Sequence, residues 1–272
     1  MRPETISEKL QYSTLRIETI DGSTGTGFFF TFKINRRSVP VIITNKHVIN
    51  NNENENVSFY LHSKEIKYNE PSDEKINIDF NTRWYFHPTH DLAFCFAAPL
   101  FNRIKEMKKE VFYQAIDTDF IWNNYQLEEL SAIEDVVMVG YPNGLWDEKN
   151  NLPLFRKGIT SSHPAIDFNK KGVGVVDMAC FPGSSGSPIF IMKENGYIDK
   201  FGNAYPHDRR IIFLGVLYAG PLFTAEGEII ITSATNQKMT TNTPMMINLG
   251  YYIKSVEILS FIPIIEILVA KR

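Results

Sequence analysis

Short runs rich in Val, Ile, Phe and Thr, separated by turn residues, limit the fold of this chain more than any other feature. Runs at 15–20, 27–33, 39–44, 57–61 and 92–98 read as strands. Asp21-Gly22-Ser23 and the asparagine-rich segment 50–56 carry turn and loop chemistry between them. Residues 100–115, with Lys and Glu spaced along them, predict a helix. Further β-like runs follow at 135–141, 172–178, 187–192, 211–218 and 228–232. The last twenty or so residues predict a helix broken near Pro263. There is no internal repeat. Many short strands divided by one midchain helical segment predict an all-β fold built from two β-barrels or sandwiches.

Composition excludes several classes of function. The chain has 272 residues. At about 150 residues per domain, that fits one large or two small domains with a sizeable core. A formal net charge of −3 argues against a globally basic nucleic-acid-binding surface. Aromatic residues at 13% argue against pervasive disorder. Cys95 and Cys180 are the two cysteines and sit in apolar contexts, which predicts buried free thiols. Two cysteines cannot make a disulfide scaffold or a Cys-rich zinc module. No His-x-x-x-His or clustered Cys/His spacing occurs, so no metal site is predicted, and no organic cofactor is indicated. The apolar stretch 249–270 contains Lys254, Glu257, Pro263 and Glu266, which argues against a membrane span. The first fifteen residues include Glu4 and Glu8 and no apolar run, unlike a secretory signal, so the predicted location is cytoplasmic.

Three motifs carry chemistry. In Phe181-Pro182-Gly183-Ser184-Ser185-Gly186-Ser187-Pro188, glycines surround a serine. A serine nucleophile needs a tight turn that projects its hydroxyl and backbone N–H groups that converge on a developing oxyanion. Gly183 permits the turn, and Gly186 removes bulk beside the hydroxyl. The plain alternative is a Ser/Gly-rich turn. Thr44-Asn45-Lys46-His47-Val48 puts a histidine at a strand end, and taken singly His47 reads as a surface residue. His90-Asp91-Leu92-Ala93-Phe94 puts an acid at the start of an apolar strand, and taken singly Asp91 reads as a turn cap. An aspartate there can also accept an imidazole N–H and hold its tautomer. The order is His47, Asp91, Ser185, at separations of 44 and 94 residues.

That order and spacing resemble the chymotrypsin-like (trypsin-like) serine peptidases, through a Thr-x-x-His, an Asp-Leu-Ala and a Gly-x-Ser-Gly-x-Pro motif. Gly25-Thr26-Gly27-Phe28 is similar to a segment of the bacterial-type branch, and residues 213–220 to the strand that walls the substrate cleft. The resemblance spans about residues 15 to 260. It implies two six-stranded antiparallel β-barrels, at 1–115 and 116–254, with short helices and a C-terminal helical segment at 255–272. It further implies a serine endopeptidase acting on a polypeptide. Ser185 would be the nucleophile, His47 the general base and Asp91 the orienting carboxylate. The N–H groups of Gly183 and Ser185 would form the oxyanion hole. Ala179, six residues before Ser185, would floor the primary pocket, with Tyr218, Ala219 and Gly220 on its wall. Ala179 supplies no carboxylate, so cleavage after Arg or Lys is not expected and a small or medium apolar side chain is. Asp177 and Glu226 leave an acidic pocket open.

Competing residues rank lower. Adjacent residues on an extended strand face opposite sides, which disfavours His90 as partner of Asp91. His87, His163 and His207 lack a matching context, and Asp79 is a reserve acid. Ser184 stands where the animal digestive enzymes carry the aspartate that pairs with a new N-terminus. The chain therefore predicts no such zymogen switch and an oxyanion hole organised by local packing. A peptidase of this kind in a cytoplasm implies narrow specificity or an activating protein partner, with loops 50–56 and 143–153 as contacts. The alternative functions are a catalytically weak protease-like binding or scaffold module, and a serine esterase using the same triad.

Overall fold

The Phe28-Phe29-Phe30 run leaves its strand no face to turn to water, and the fold is arranged around that strand. The computed structural model describes residues 2–65, 67–170, 172–229 and 239–270. Helix α1 (Ile6–Gln11) precedes β1 (Thr14–Thr19), β2 (Thr24–Ile34), β3 (Arg37–Thr44), β4 (Asn56–Glu65), β5 (Glu70–Asn81), β6 (Tyr85–Phe86) and β7 (Ala93–Phe96). Helix α2 (Ala97–Glu106), β8 (Val111–Phe112), β9 (Ile116–Asp117) and helix α3 (Asn124–Leu127) follow. The second half holds β10 (Asp135–Gly140), β11 (Leu154–Thr160), β12 (Val173–Asp177), β13 (Pro188–Lys193), β14 (Tyr197–Ile198) and β15 (Ala204–Tyr205). It ends with β16 (Arg210–Ala219), β17 (Leu222–Ile229), β18 (Met239–Met246), β19 (Leu249–Lys254) and helix α4 (Ile262–Ala270).

The second lobe is a closed six-stranded barrel in the order β10-β11-β12-β19-β16-β13. The first lobe is not the second barrel that the sequence predicted. It is an open nine-stranded sheet, β5-β4-β1-β2-β3-β7-β6, with β8 on β4 and β9 on β2. Strand β4 pairs with β1 only at residues 57–59, then diverges and takes β8 against His62 and Ser63. The opposite edge, β6, is two residues long. So short an edge offers too few ladder groups to seal against the twelve residues of β5.

Other differences from the sequence have local causes. The helix predicted over 100–115 starts earlier and stops at Glu106. Lys108 is left-handed (φ 57°), its N–H bonds the Lys105 carbonyl at 2.9 Å, and the Lys109 N–H bonds that of Ile104 at 3.2 Å. That pair of bonds ends a helix in a Schellman turn, and the chain returns as β8. Pro263 does not break a helix but stands at the start of α4, where its missing N–H costs no bond. Residues 228–229 of the strand predicted over 228–232 belong to β17, and 230–232 lie outside the described residues.

Strand β2 joins the two lobes. Phe28, Phe30 and Phe32 enter a cluster with Val139, Phe190, Phe213, Val216 and Ile253 of the barrel and with Phe261 and Ile265 near the C-terminus. Phe29, on the opposite face, enters the first lobe's own core with Leu15, Ile17, Val57 and Trp84. The Phe213 ring lies 5.5 Å from Phe28 and 5.4 Å from Phe190, so it bridges the lobes. Phe213→Ala should destabilise the protein by about 3–5 kcal/mol, the usual cost of emptying a buried phenylalanine site. Phe201→Ala, at a side chain that is 77% exposed, should stay within about 0.5 kcal/mol. Urea denaturation of both variants checks the contrast.

Candidate active site

The end of β3 clasps the loop that carries Asp91. Asn45 is fully buried and donates its side-chain amide to the Asp91 carbonyl at 2.6 Å. Two residues on, the His47 backbone N–H donates to Asp91 Oδ1 at 3.2 Å, and His47 Nδ1 lies 2.5 Å from Asp91 Oδ2. Burial alone pushes the Asp91 carboxyl up. The hydrogen bond and charge of the His47 ring, with backbone N–H groups of His47 and Lys46, outweigh it and hold the carboxyl below its usual range. Asp91 therefore stays ionised, as an orienting carboxylate requires. The His47 side chain is 42% exposed, enough for its other ring nitrogen to reach a substrate.

Ser185 is brought to the same edge by Thr26 at the start of β2. The Thr26 N–H donates to the Ser185 carbonyl at 2.9 Å, and the Thr26 hydroxyl donates to the Gly183 carbonyl at 3.2 Å. The Thr26 carbonyl accepts the Thr44 hydroxyl at 2.7 Å, three residues before His47. Gly186 requires glycine, since a Cβ there would stand 1.9 Å from the Thr26 carbonyl oxygen. Residues 181–184 form a β-turn closed by the Ser184 N–H on the Phe181 carbonyl at 3.0 Å. Pro182 takes its second position and Gly183, at φ +84°, its third, the residue pattern of a type II turn. Ser184 and Ser187 are fully buried, and Ser185 is the half-buried serine of the three. Among the described residues Ser185 Oγ makes no hydrogen bond to His47, so the Asp91–His47 half of the predicted line is joined and the His47–Ser185 half is open. Catalytic hydrogen bonds of this type commonly tighten only with substrate bound.

Two of the residues expected to form the pocket, Ala179 and Ala219, lie against β19 or its approach. Met178 donates its N–H to the Asn248 carbonyl at 2.8 Å, which sets Ala179 beside the start of β19. Ala219 pairs with Tyr251, and the Tyr218 ring lies 6.4 Å from that of Tyr251. Burial raises the Tyr218 phenol, and the charges of Tyr251 and Asp91 raise it further, so Tyr218 stands within electrostatic reach of the His47–Asp91 pair. Gly220 follows, half-buried. The sequence reading missed Thr26 as a contact of the serine turn, and missed Tyr251 as the neighbour of Tyr218 and Ala219. A Cβ on Gly250 would stand 2.4 Å from Cys180 Sγ, so this glycine lets β19 pack closely on Cys180.

The sequence profile of the trypsin-like peptidase domain matches residues 25–196, a span that holds His47, Asp91 and Ser185. The chain belongs to this family. Among solved structures, the trypsin-like peptidase domain is similar to the Rv3671c protease in its inactive form (16% identity, 97% of each chain covered, TM-score 0.43). It is also similar to the scabies mite inactivated protease paralogue S-I1 (12% identity, 97% of each chain covered, TM-score 0.46). No curated protein matches.

The competing residues of this peptidase domain have other partners. Asp79 accepts the hydroxyl of its cross-strand partner Ser58 at 2.6 Å. His90 Nε2 lies 3.2 Å from Glu257, tying the Asp91 loop to the C-terminal segment. His163 accepts the Ala165 N–H, and His207 is exposed. Cys95 and Cys180 are buried free thiols, and burial pushes Cys180 up to about 12, so neither is a thiolate nucleophile. The side chain of Glu226 lies outside the described residues, while Asp177 is exposed at the end of β12.

His87 shapes the turn before Asp91 by accepting the N–H groups of Thr89 at 3.2 Å and His90 at 2.9 Å. Burial first, and the charge of His90 second, lower its pKa to about 4. The folded state thus keeps His87 neutral, while an unfolded histidine takes a proton below about pH 6.5. Its contribution to stability is intact above that value and is lost as pH falls toward 4. Thermal melts from pH 7 to 4 should show this loss, and His87→Gln should flatten the slope.

Proposed function

We propose that the protein is a serine endopeptidase that cleaves polypeptides through an acyl-enzyme on Ser185. The observation that carries this reading is the 2.5 Å contact between an ionised Asp91 and the His47 ring, on the edge where Thr26 holds the Ser185 turn. A serine hydroxyl is a poor nucleophile until a base takes its proton during attack. His47 takes that proton through the ring nitrogen that Asp91 leaves free, and later returns it to the leaving amine. The N–H groups of Gly183 and Ser185 receive the oxyanion. A water then repeats the sequence against the acyl-enzyme. Ala179, Tyr218, Ala219 and Gly220 form the primary pocket. With no carboxylate at Ala179, the side chain accepted is small or medium and apolar rather than basic. Buried, unpaired Cys95 and Cys180 fit a reducing cytoplasm.

A second reading is favoured by one observation, the missing His47–Ser185 hydrogen bond: a protease-like binding module with weak turnover. One experiment separates the two. A fluorophosphonate should label the wild type at Ser185 and leave Ser185→Ala unlabelled, whereas an unlabelled wild type selects the binding module. Asp91→Asn should lower kcat by about 10⁴, the loss typical of this substitution in a Ser-His-Asp triad. An unchanged rate would remove Asp91 from the mechanism.

A further inference from the structure

The connection between β10 and β11, residues 141–153, reaches both the Ser185 turn and the first lobe. At its start the Asn143 N–H donates to the Pro182 carbonyl at 2.5 Å. The Pro182–Gly183 peptide is trans. In a planar trans peptide the C=O and the following N–H point in opposite directions. A Pro182 carbonyl held by Asn143 therefore turns the Gly183 N–H away from this loop, as an oxyanion donor must be turned. If the loop let go, the peptide could rotate and exchange the type II turn for type I, presenting a carbonyl where the donor belongs.

Around Asn143 the loop makes two turn bonds of its own, from the Gly144 N–H to the Tyr141 carbonyl at 3.1 Å and from the Leu145 N–H to the Pro142 carbonyl at 2.8 Å, and the Tyr141 N–H is held by the Thr26 hydroxyl at 3.1 Å. Asn143 (φ 50°) and Gly144 (φ 67°) are both left-handed, the region that asparagine and glycine enter most readily. Asn143 and Leu145 are exposed. Ser184 Oγ, beside the nucleophile, is buried and has no hydrogen-bond partner among the described residues, so it fixes nothing. Beyond that turn, Trp146 fastens the loop to the first lobe. Its ring meets Tyr60 of β4 edge-on at 4.8 Å and Tyr141 at 6.0 Å. The Arg16 guanidinium of β1 lies over it at 4.4 Å and over Tyr60 at 5.5 Å, and Glu18 pairs with Arg16. The Asn151 side-chain amide donates to the Tyr60 carbonyl at 3.2 Å, and the Lys75 ammonium to that of Glu148.

We infer that Arg16 and Trp146 are positioning residues for the oxyanion hole: their cation–π stack fastens the 141–153 loop to the first lobe so that Asn143 holds the Gly183 N–H toward the cleft. The inference rests on the serine peptidase reading above. Neither residue touches substrate. The stack does the organising that an N-terminal ion pair would do were Ser184 an aspartate.

The test uses the full chain, a peptide substrate chosen from a library, and the matching peptide aldehyde, whose adduct on Ser185 places an oxyanion in the hole. Trp146→Ala and Arg16→Met should each lower kcat, Trp146→Ala by about 10²-fold, the order of one lost oxyanion donor. KM should stay within about twofold, since substrate binding does not use the hole. Aldehyde affinity should fall in parallel with kcat, and Trp146→Phe should restore most of both. Arg16→Met removes the charge while keeping an unbranched apolar side chain, so it decides the matter if Trp146→Ala does not fold. A fluorophosphonate-labelled wild type whose kcat survives both substitutions overturns the clamp alone. A wild type that takes no label overturns the peptidase reading and this inference with it.

Discussion

Burial of β2 on both faces is the constraint on which the rest of the structure depends. Successive side chains of a strand point to opposite sides, so Phe28, Phe30 and Phe32 fill the junction between the lobes while Phe29 fills the first lobe's core. Each buried phenylalanine contributes on the order of 1.5–3 kcal/mol, and that apolar energy fixes one relative placement of open sheet and barrel. Thr26 begins the same strand. Its N–H, hydroxyl and carbonyl each hold part of the site, against Ser185, Gly183 and Thr44 respectively. A strand that could slide or roll between the lobes would carry the Ser185 turn away from His47.

The polar features of the site are built on that rigid base from short-range contacts. Asn45 and His47 take hold of Asp91 from one strand end, by the backbone and by the carboxylate. His87 organises the preceding turn, and His90 reaches Glu257. Burial would by itself disfavour a charged Asp91, and the donors around it reverse that preference. Membership of the trypsin-like peptidase domain family fits this arrangement, since the matched span 25–196 holds all three side chains.

Much of the site was legible because its requirements are local. A glycine-flanked serine, a histidine closing a strand and an aspartate opening one each announce themselves within five or six residues. The alternation of Ile76, Ile78 and Phe80, buried in β5, is likewise legible as a polar-apolar, strand-like stretch around Asp79. Where the reading went wrong, the cause was a distant or unusual contact. Lys108 ends α2 in a left-handed conformation that glycine usually takes, so no residue type marked the stop. The first lobe stays open because β4 leaves β1 for β8, a choice made between segments some fifty residues apart. Asp79 could be set aside only once its cross-strand partner Ser58 was visible.

By itself the sequence determined a two-lobed, mainly β chain, a buried pair of free thiols, and an ordered His47, Asp91, Ser185 set resembling a serine peptidase. These depend on residue type, period and spacing, which are properties of neighbours along the chain. Only the tertiary structure decided that one lobe closes and the other does not, that Thr26 links the serine turn to β3, and that the Arg16 guanidinium lies over the Trp146 ring. Those facts join residues from 18 to more than a hundred positions apart. Hydrogen bonds and ring contacts at such separations follow from how the lobes pack, and no local pattern encodes them.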